Sequence, residues 1–131
     1  MNYSRNRIPS RGEKAIKKSL QEKNFNFREQ YSFPDCLSEL GFRLFFDFGV
    51  LNESNNLILL IEYQGYQHYT DGNLWPNIRA TDKIKKEYCL KNNIPLLELF
   101  SEDIELLERN SLFLFSKINH ILEKDDWFGE R

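Results

Sequence analysis

Two runs decide the fold: Arg43-Leu44-Phe45-Phe46-Asp47-Phe48-Gly49-Val50 and Leu57-Ile58-Leu59-Leu60-Ile61-Glu62-Tyr63-Gln64, joined by the turn cluster Asn52-Glu53-Ser54-Asn55-Asn56. Aromatic and aliphatic residues dominate both, and the polar cluster between them predicts a β-hairpin. The second run is apolar on both faces until its last few residues, so it reads as a central strand covered from both sides. A carboxylate near the end of each strand, Asp47 and Glu62, then requires a chemical reason to be there.

Upstream, Ser10 and Glu13 have the S-x-x-E form of a capping box, in which each side chain satisfies a backbone N–H at a helix start. A helix over about 11–23 follows, ended by Asn24, with a thin apolar stripe of Ala15, Ile16 and Leu20. From Phe25 the period becomes two, placing Phe25, Phe27, Glu29 and Tyr31 on one side of a strand or extended lead-in that Pro34 and Asp35 are expected to break.

Downstream, residues 65–77 hold two glycines, Pro76, tyrosines, His68 and Trp75 without periodicity, and read as a long exposed loop of the kind that carries function. A basic helix over about 78–92 leads to a short buried strand at 94–99, which a helical crossover should lay parallel to an earlier strand. Ser101 is expected to cap C-terminal helices reaching residue 124, with Ile104, Leu107, Phe115, Ile118 and Leu122 buried. The order predicts an α/β fold, a mixed sheet flanked by helices with extra C-terminal helices, in a single domain over 1–131 whose core spans about 10–100.

With 131 residues, 40% hydrophobic and 15% aromatic, the chain can build one core but not two. No apolar run approaches the roughly 20 residues that cross a bilayer, and the first residues lack the apolar stretch of a secretory signal, so a cytoplasmic protein with no membrane partner is expected. Cys36 and Cys89 lack the paired spacing of a zinc site and read as small buried thiols in a reducing compartment.

The net charge of −2 excludes coating of nucleic acid by bulk electrostatics, yet it hides an asymmetry. Residues 1–24 carry seven basic and two acidic side chains, whereas 98–131 carry nine acidic and four basic ones. The basic end, with Lys14, Lys17 and Lys18, can meet phosphates or can simply be a solvated helix face.

Residues i and i+2 share a face of a strand, so Glu62 and Gln64 stand about 7 Å apart on one side. If the hairpin pairs around its Asn-rich turn, Asp47 comes close to Glu62. Two carboxylates in a largely apolar hairpin repel each other and lose hydration, costs that a divalent cation between them removes. An oxygen-only set of this kind suits Mg2+ or Mn2+, completed by waters and a substrate phosphate.

Asp47 in F-D-F, Glu62 and Gln64 in I-E-Y-Q-G-Y-Q-H-Y, then D-K-I-K-K-E-Y-C and N-N-I-P-L-L-E-L together form a three-part pattern. It resembles the PD-(D/E)XK superfamily of metal-dependent nucleases, in the branch of phage proteins, homing endonucleases and very-short-patch-repair-like enzymes. The resemblance covers about residues 10–100 and implies a restriction-endonuclease-like αβββαβ core. It places the superfamily's aspartate on Asp47, its glutamate on Glu62 and its third position, usually lysine, on Gln64. The chain departs from the pattern in having Phe46 for the proline and Gln64 for the lysine; Lys83, Lys85 or Lys86 on the next helix could reach the site instead.

The resemblance implies a Mg2+- or Mn2+-dependent DNA endonuclease of phage or mobile-element type, placed in the host-cell cytoplasm if phage-encoded. It would nick, cut a specific site, or resolve junctions as a homodimer. Asp47 and Glu62 would bind the metal and Gln64 would orient the attacking water. Glu29 corresponds to an additional acidic position used by several members, and is otherwise a surface carboxylate. His68 is a general base, a phosphate contact or a locally bonded loop residue. Trp75 and Tyr66 either stack on unpaired bases or anchor the loop. The competing expectation is a catalytically silent DNA-binding or inhibitory protein on the same fold, with Gln64 marking the loss of chemistry.

Overall fold

The computed structural model describes residues 8–65 and 76–123. Helix α1 (Arg11–Glu22) precedes strands β1 (Asn26–Leu37), β2 (Arg43–Leu51) and β3 (Leu57–Gly65); helix α2 (Pro76–Lys91) then leads to strand β4 (Leu96–Phe100). A 3₁₀ turn at Ser101–Asp103 joins β4 to helix α3 (Ile104–Arg109), and helix α4 (Ser111–Leu122) follows after Asn110. The strands lie in the order β1-β2-β3-β4, antiparallel except for the parallel β3–β4 pair, as a helical crossover requires. The mixed α/β architecture with a flanked sheet is therefore present.

Alternation along the central strand β3 sorts the core into two layers. Leu59 and Ile61 face one side and pack with Ala15, Ile16 and Leu20 of α1 and with Leu107, Leu114 and Ile118 of α3 and α4. Leu60 faces the other, with Phe46, Cys36 and Cys89 of α2. Both cysteines are buried free thiols. Because β3 is covered from both sides, it stays buried from Leu59 through Glu62.

Three local expectations are corrected. Strand β1 runs straight through Pro34 and Asp35: it is an edge strand, where the missing proline N–H costs no ladder bond, and its register slips between Ser32 and Leu37. Ser101 does not cap the last helices; it opens the 3₁₀ turn, and the cap of α4 is Asn110, whose side chain accepts the Leu112 N–H at 2.9 Å. Phe115 and Leu122 lie exposed, and Leu114 with Ile118 forms the buried face of α4. Ile104, Leu107, Leu114 and Ile118 keep the three-, seven- and four-residue spacing of one apolar stripe across Asn110; Phe115 adjoins that stripe and Leu122 is the last residue of α4.

Candidate active site at the open end of the hairpin

Pairing between β2 and β3 runs from Leu51↔Leu57 to Phe48↔Ile61, the last pair before Asp47 among the described residues. There side chains take over from the ladder. Asp47 Oδ2 accepts the backbone N–H of Tyr63 at 2.7 Å, and Glu62 Oε1 accepts the backbone N–H of Asp47 at 3.4 Å. Asp47 and Glu62 thus meet at the end of the hairpin remote from its turn, as their strand positions predict.

A third carboxylate joins them from α1. Glu13 and Ser10 form both bonds of the predicted capping box, Ser10 N–H to Glu13 Oε1 at 2.9 Å and Glu13 N–H to Ser10 Oγ at 3.1 Å. Glu13 is also buried and hydrogen-bonded to the Asp47 side chain. In the sequence Glu13 reads as a cap residue alone. The missed signal is its spacing: Glu13, Ile16 and Leu20 lie at i, i+3 and i+7, so this carboxylate sits on the apolar stripe of α1. Gly12 makes the approach feasible, because a Cβ there would stand 2.4 Å from the Tyr63 ring.

Electrostatics mark the site. Burial, then the Glu62 charge, then the hydrogen bond to Glu13 push the Asp47 carboxyl up to about 8. A carboxyl–carboxyl hydrogen bond needs one proton, and Asp47 is the group that holds it near neutrality. Burial also raises Glu62, against the opposing pull of Lys85. Lys85 Nζ lies 2.5 Å from Glu62 Oε2 with only 17% of its side chain exposed, and 5.2 Å from the centre of the Phe46 ring. Of the three helix lysines considered, Lys85 is the one that reaches the carboxylates; Lys83 is exposed on α2.

Gln64 shares the α2-facing side with Glu62 but belongs to a neighbouring network. Its amide Nε2 donates to Asp82 Oδ1 at 3.1 Å and to Glu98 Oε2 at 2.9 Å. Lys86 Nζ lies 3.6 Å from Asp82 and 3.5 Å from Glu98, completing a clamp between β3, α2 and β4. Asp82 therefore pairs with Lys86, while Lys85 turns to the site.

On the α1 side of Asp47 lies a cleft of about 280 Å³, whose lining includes Glu13, Lys14, Lys17, Glu29 and Gln30. Glu29 stands at its rim in an ion pair with Lys17 at 2.8 Å, both side chains more than 40% exposed. Lys18 is exposed and lies 4.0 Å from Glu22. Arg11 is committed to a two-point pair with Glu108, both contacts at 2.7 Å, so the basic and acidic ends of the chain meet there. His68, Trp75 and Tyr66 lie outside the described residues.

Among the described residues no group of three or more His, Cys, Asp or Glu is arranged as a ready-made metal cage. Magnesium commonly uses one or two protein carboxylates and takes its remaining ligands from water and phosphate. Asp47 and Glu62 fit that donor set: both are oxygen-only, both are held in place by backbone contacts, and Lys85 supplies one positive charge to the two buried carboxyls.

The chain is 30% identical over 105 residues to a Haemophilus influenzae protein named only as "Uncharacterized protein". The match covers 75% of this chain and 52% of the other, so the chain spans about half the length of that relative. No family model matches the chain, and no solved structure matches it with significance.

Proposed function

We propose that this protein is a Mg2+- or Mn2+-dependent DNA endonuclease of the PD-(D/E)XK kind, with Asp47 and Glu62 as the metal-holding pair. The observation that carries the reading is the convergence of these two backbone-anchored, buried carboxylates with the Lys85 ammonium at the open end of the β2–β3 hairpin. The αβββαβ order of elements that leads to this position agrees with it.

A bound divalent cation would act as Lewis acid on the scissile phosphate and lower the pKa of an attacking water. The chain's own residues do the rest. Asp47 must give up the proton it shares with Glu13 before its carboxylate can ligate, and the Tyr63 backbone N–H then holds that carboxylate in place. Lys85 supplies the fixed positive charge that Gln64 cannot, and so stabilises charge developing on phosphate oxygens. Gln64 keeps β3, α2 and β4 in register, and with them the relative placement of Glu62 and Lys85. Lys14 and Lys17 line the cleft beside Asp47 and would meet the DNA backbone there.

Purified protein incubated with plasmid, linear and four-way-junction DNA in Mg2+ or Mn2+ tests the reading. Cleavage of at least one substrate by the wild type, lost in Glu62→Gln, is expected. A folded wild type that cuts none of them contradicts it.

One observation favours a second reading, a silent DNA-binding or inhibitory protein: the Gln64 amide is already spent on Asp82 and Glu98. That reading predicts salt-dependent DNA binding that is unchanged by Glu62→Gln and accompanied by no turnover.

A further inference from the structure

We infer that Gln30 is a positioning residue for the site, acting through its backbone conformation. The inference rests on the nuclease reading for its consequence and on the geometry of β1 and β2 for its substance. Gln30 lies inside β1 with φ of +53°, in the left-handed region that side chains other than glycine, asparagine and aspartate rarely adopt. The register Glu29↔Phe48 and Tyr31↔Phe46 places it directly opposite Asp47.

The two strands reverse their facing at this one position. In a regular strand residues i and i+2 share a face. Here Phe48 packs in the α1 layer beside Phe27, with ring centres 6.0 Å apart, and Glu29 pairs with Lys17 of α1. Two residues away on each strand, Phe46 and Tyr31 pack in the α2 layer, where Phe33 stands 6.0 Å from Phe46 and 4.9 Å from Tyr88. Both strands therefore roll over between their two faces, and the residues at the roll are Gln30 and Asp47.

The roll puts Asp47 in contact with both sides of the sheet. Its side chain meets Glu13 on the α1 side, while its N–H points to Glu62, whose other oxygen meets Lys85 on the α2 side. Without the reversal Asp47 would present its carboxylate to one layer only, and the link from Glu13 through Asp47 to Glu62 would break. Gln30 thus sets the geometry by which Asp47 and Glu62 share a ligand.

The series Gln30→Gly, Gln30→Asn, Gln30→Ala and Gln30→Val tests this, read by Mn2+ titration calorimetry, plasmid cleavage and aromatic NOEs. Glycine and asparagine accept the left-handed backbone, so both should keep Mn2+ affinity and cleavage within about threefold of wild type. Alanine carries the same Cβ as glutamine and should also stay within about threefold, whereas valine, branched at Cβ, should weaken both by at least about tenfold, with loss of the Phe46–Tyr88-side and Phe48–Phe27-side NOE pattern. If the valine protein does not fold, the melting temperature decides: Gln30→Gly, free of the Cβ penalty, should melt above Gln30→Ala. A Gln30→Gly protein that melts no higher than Gln30→Ala, or a folded valine protein matching wild type in Mn2+ affinity and cleavage, would overturn the inference. Should the wild type neither bind Mn2+ nor cut DNA, the nuclease reading fails, and the NOE pattern across the series still tests the role of Gln30.

Discussion

Asp47 Oδ2 accepts the backbone N–H of Tyr63 at 2.7 Å, a bond that places a side chain where the sheet would otherwise continue its ladder. The bond holds the carboxyl in a buried setting, beside the charge of Glu62 and against Glu13, where ionisation is costly. Asparagine reproduces the shape and the acceptor without the charge. Asp47→Asn should therefore raise the stability of the metal-free protein at pH 7 by about 1–3 kcal/mol, several degrees in melting temperature. Thermal melts of the two proteins without metal check this, and a marked loss of stability would show that the charge is compensated.

The same group sets a pH dependence. An unfolded chain loses the Asp47 proton near the ordinary value of 3.8, whereas the folded protein keeps it to about 8. Over that window the folded state binds more protons, so stability falls as pH rises from about 4 to about 8 and this contribution levels off above. Glu62, also raised, acts in the same direction. Urea midpoints at several pH values should decline more steeply for wild type than for Asp47→Asn; parallel profiles would remove Asp47 as the source.

Lys85 faces a carboxylate that burial leaves with little other compensation. Lys85→Ala should cost roughly 2–4 kcal/mol of stability, near the lower end of losses for broken buried pairs because Glu62 can take up a proton. Cleavage should fall about a hundredfold to a thousandfold, the scale for removing one group that stabilises transition-state charge. Lys85→Arg should recover stability better than rate. Equal cleavage by Lys85→Ala and wild type would remove Lys85 from the chemistry.

Gln64 is expected to act as a clamp. Gln64→Ala deletes two hydrogen bonds to carboxylates and should destabilise by about 1–3 kcal/mol, with cleavage reduced less than in Lys85→Ala. Chemical denaturation and initial rates together test that order. The reverse order would return Gln64 to the reacting centre.

Much of this arrangement is legible in the sequence. The strand pair, the parallel β4 and the meeting of Asp47 with Glu62 follow from period, run length and turn chemistry, all of which are local. What escaped depends on partners distant in the chain. Pro34 reads as a strand breaker until β1 is known to lie at an edge. Glu13 reads as a cap until α1 is seen to lay its apolar stripe beside Asp47. Gln64 reads as a site residue by spacing alone, and only the parallel register Glu62↔Glu98 and the placement of Asp82 on α2 bring up the acceptors that hold it. The roll at Gln30 leaves no trace in composition, because glutamine is not a residue that announces a left-handed backbone.

The central claim is that Asp47 and Glu62 hold one divalent cation between them. Mn2+ titration followed by electron paramagnetic resonance, on wild type, Asp47→Asn and Glu62→Gln, tests it most directly. The account predicts a site in the wild type whose affinity rises with pH as the Asp47 proton is released, and its loss in either variant. Binding that survives in both variants, or no binding by folded wild type at pH 8, would contradict it.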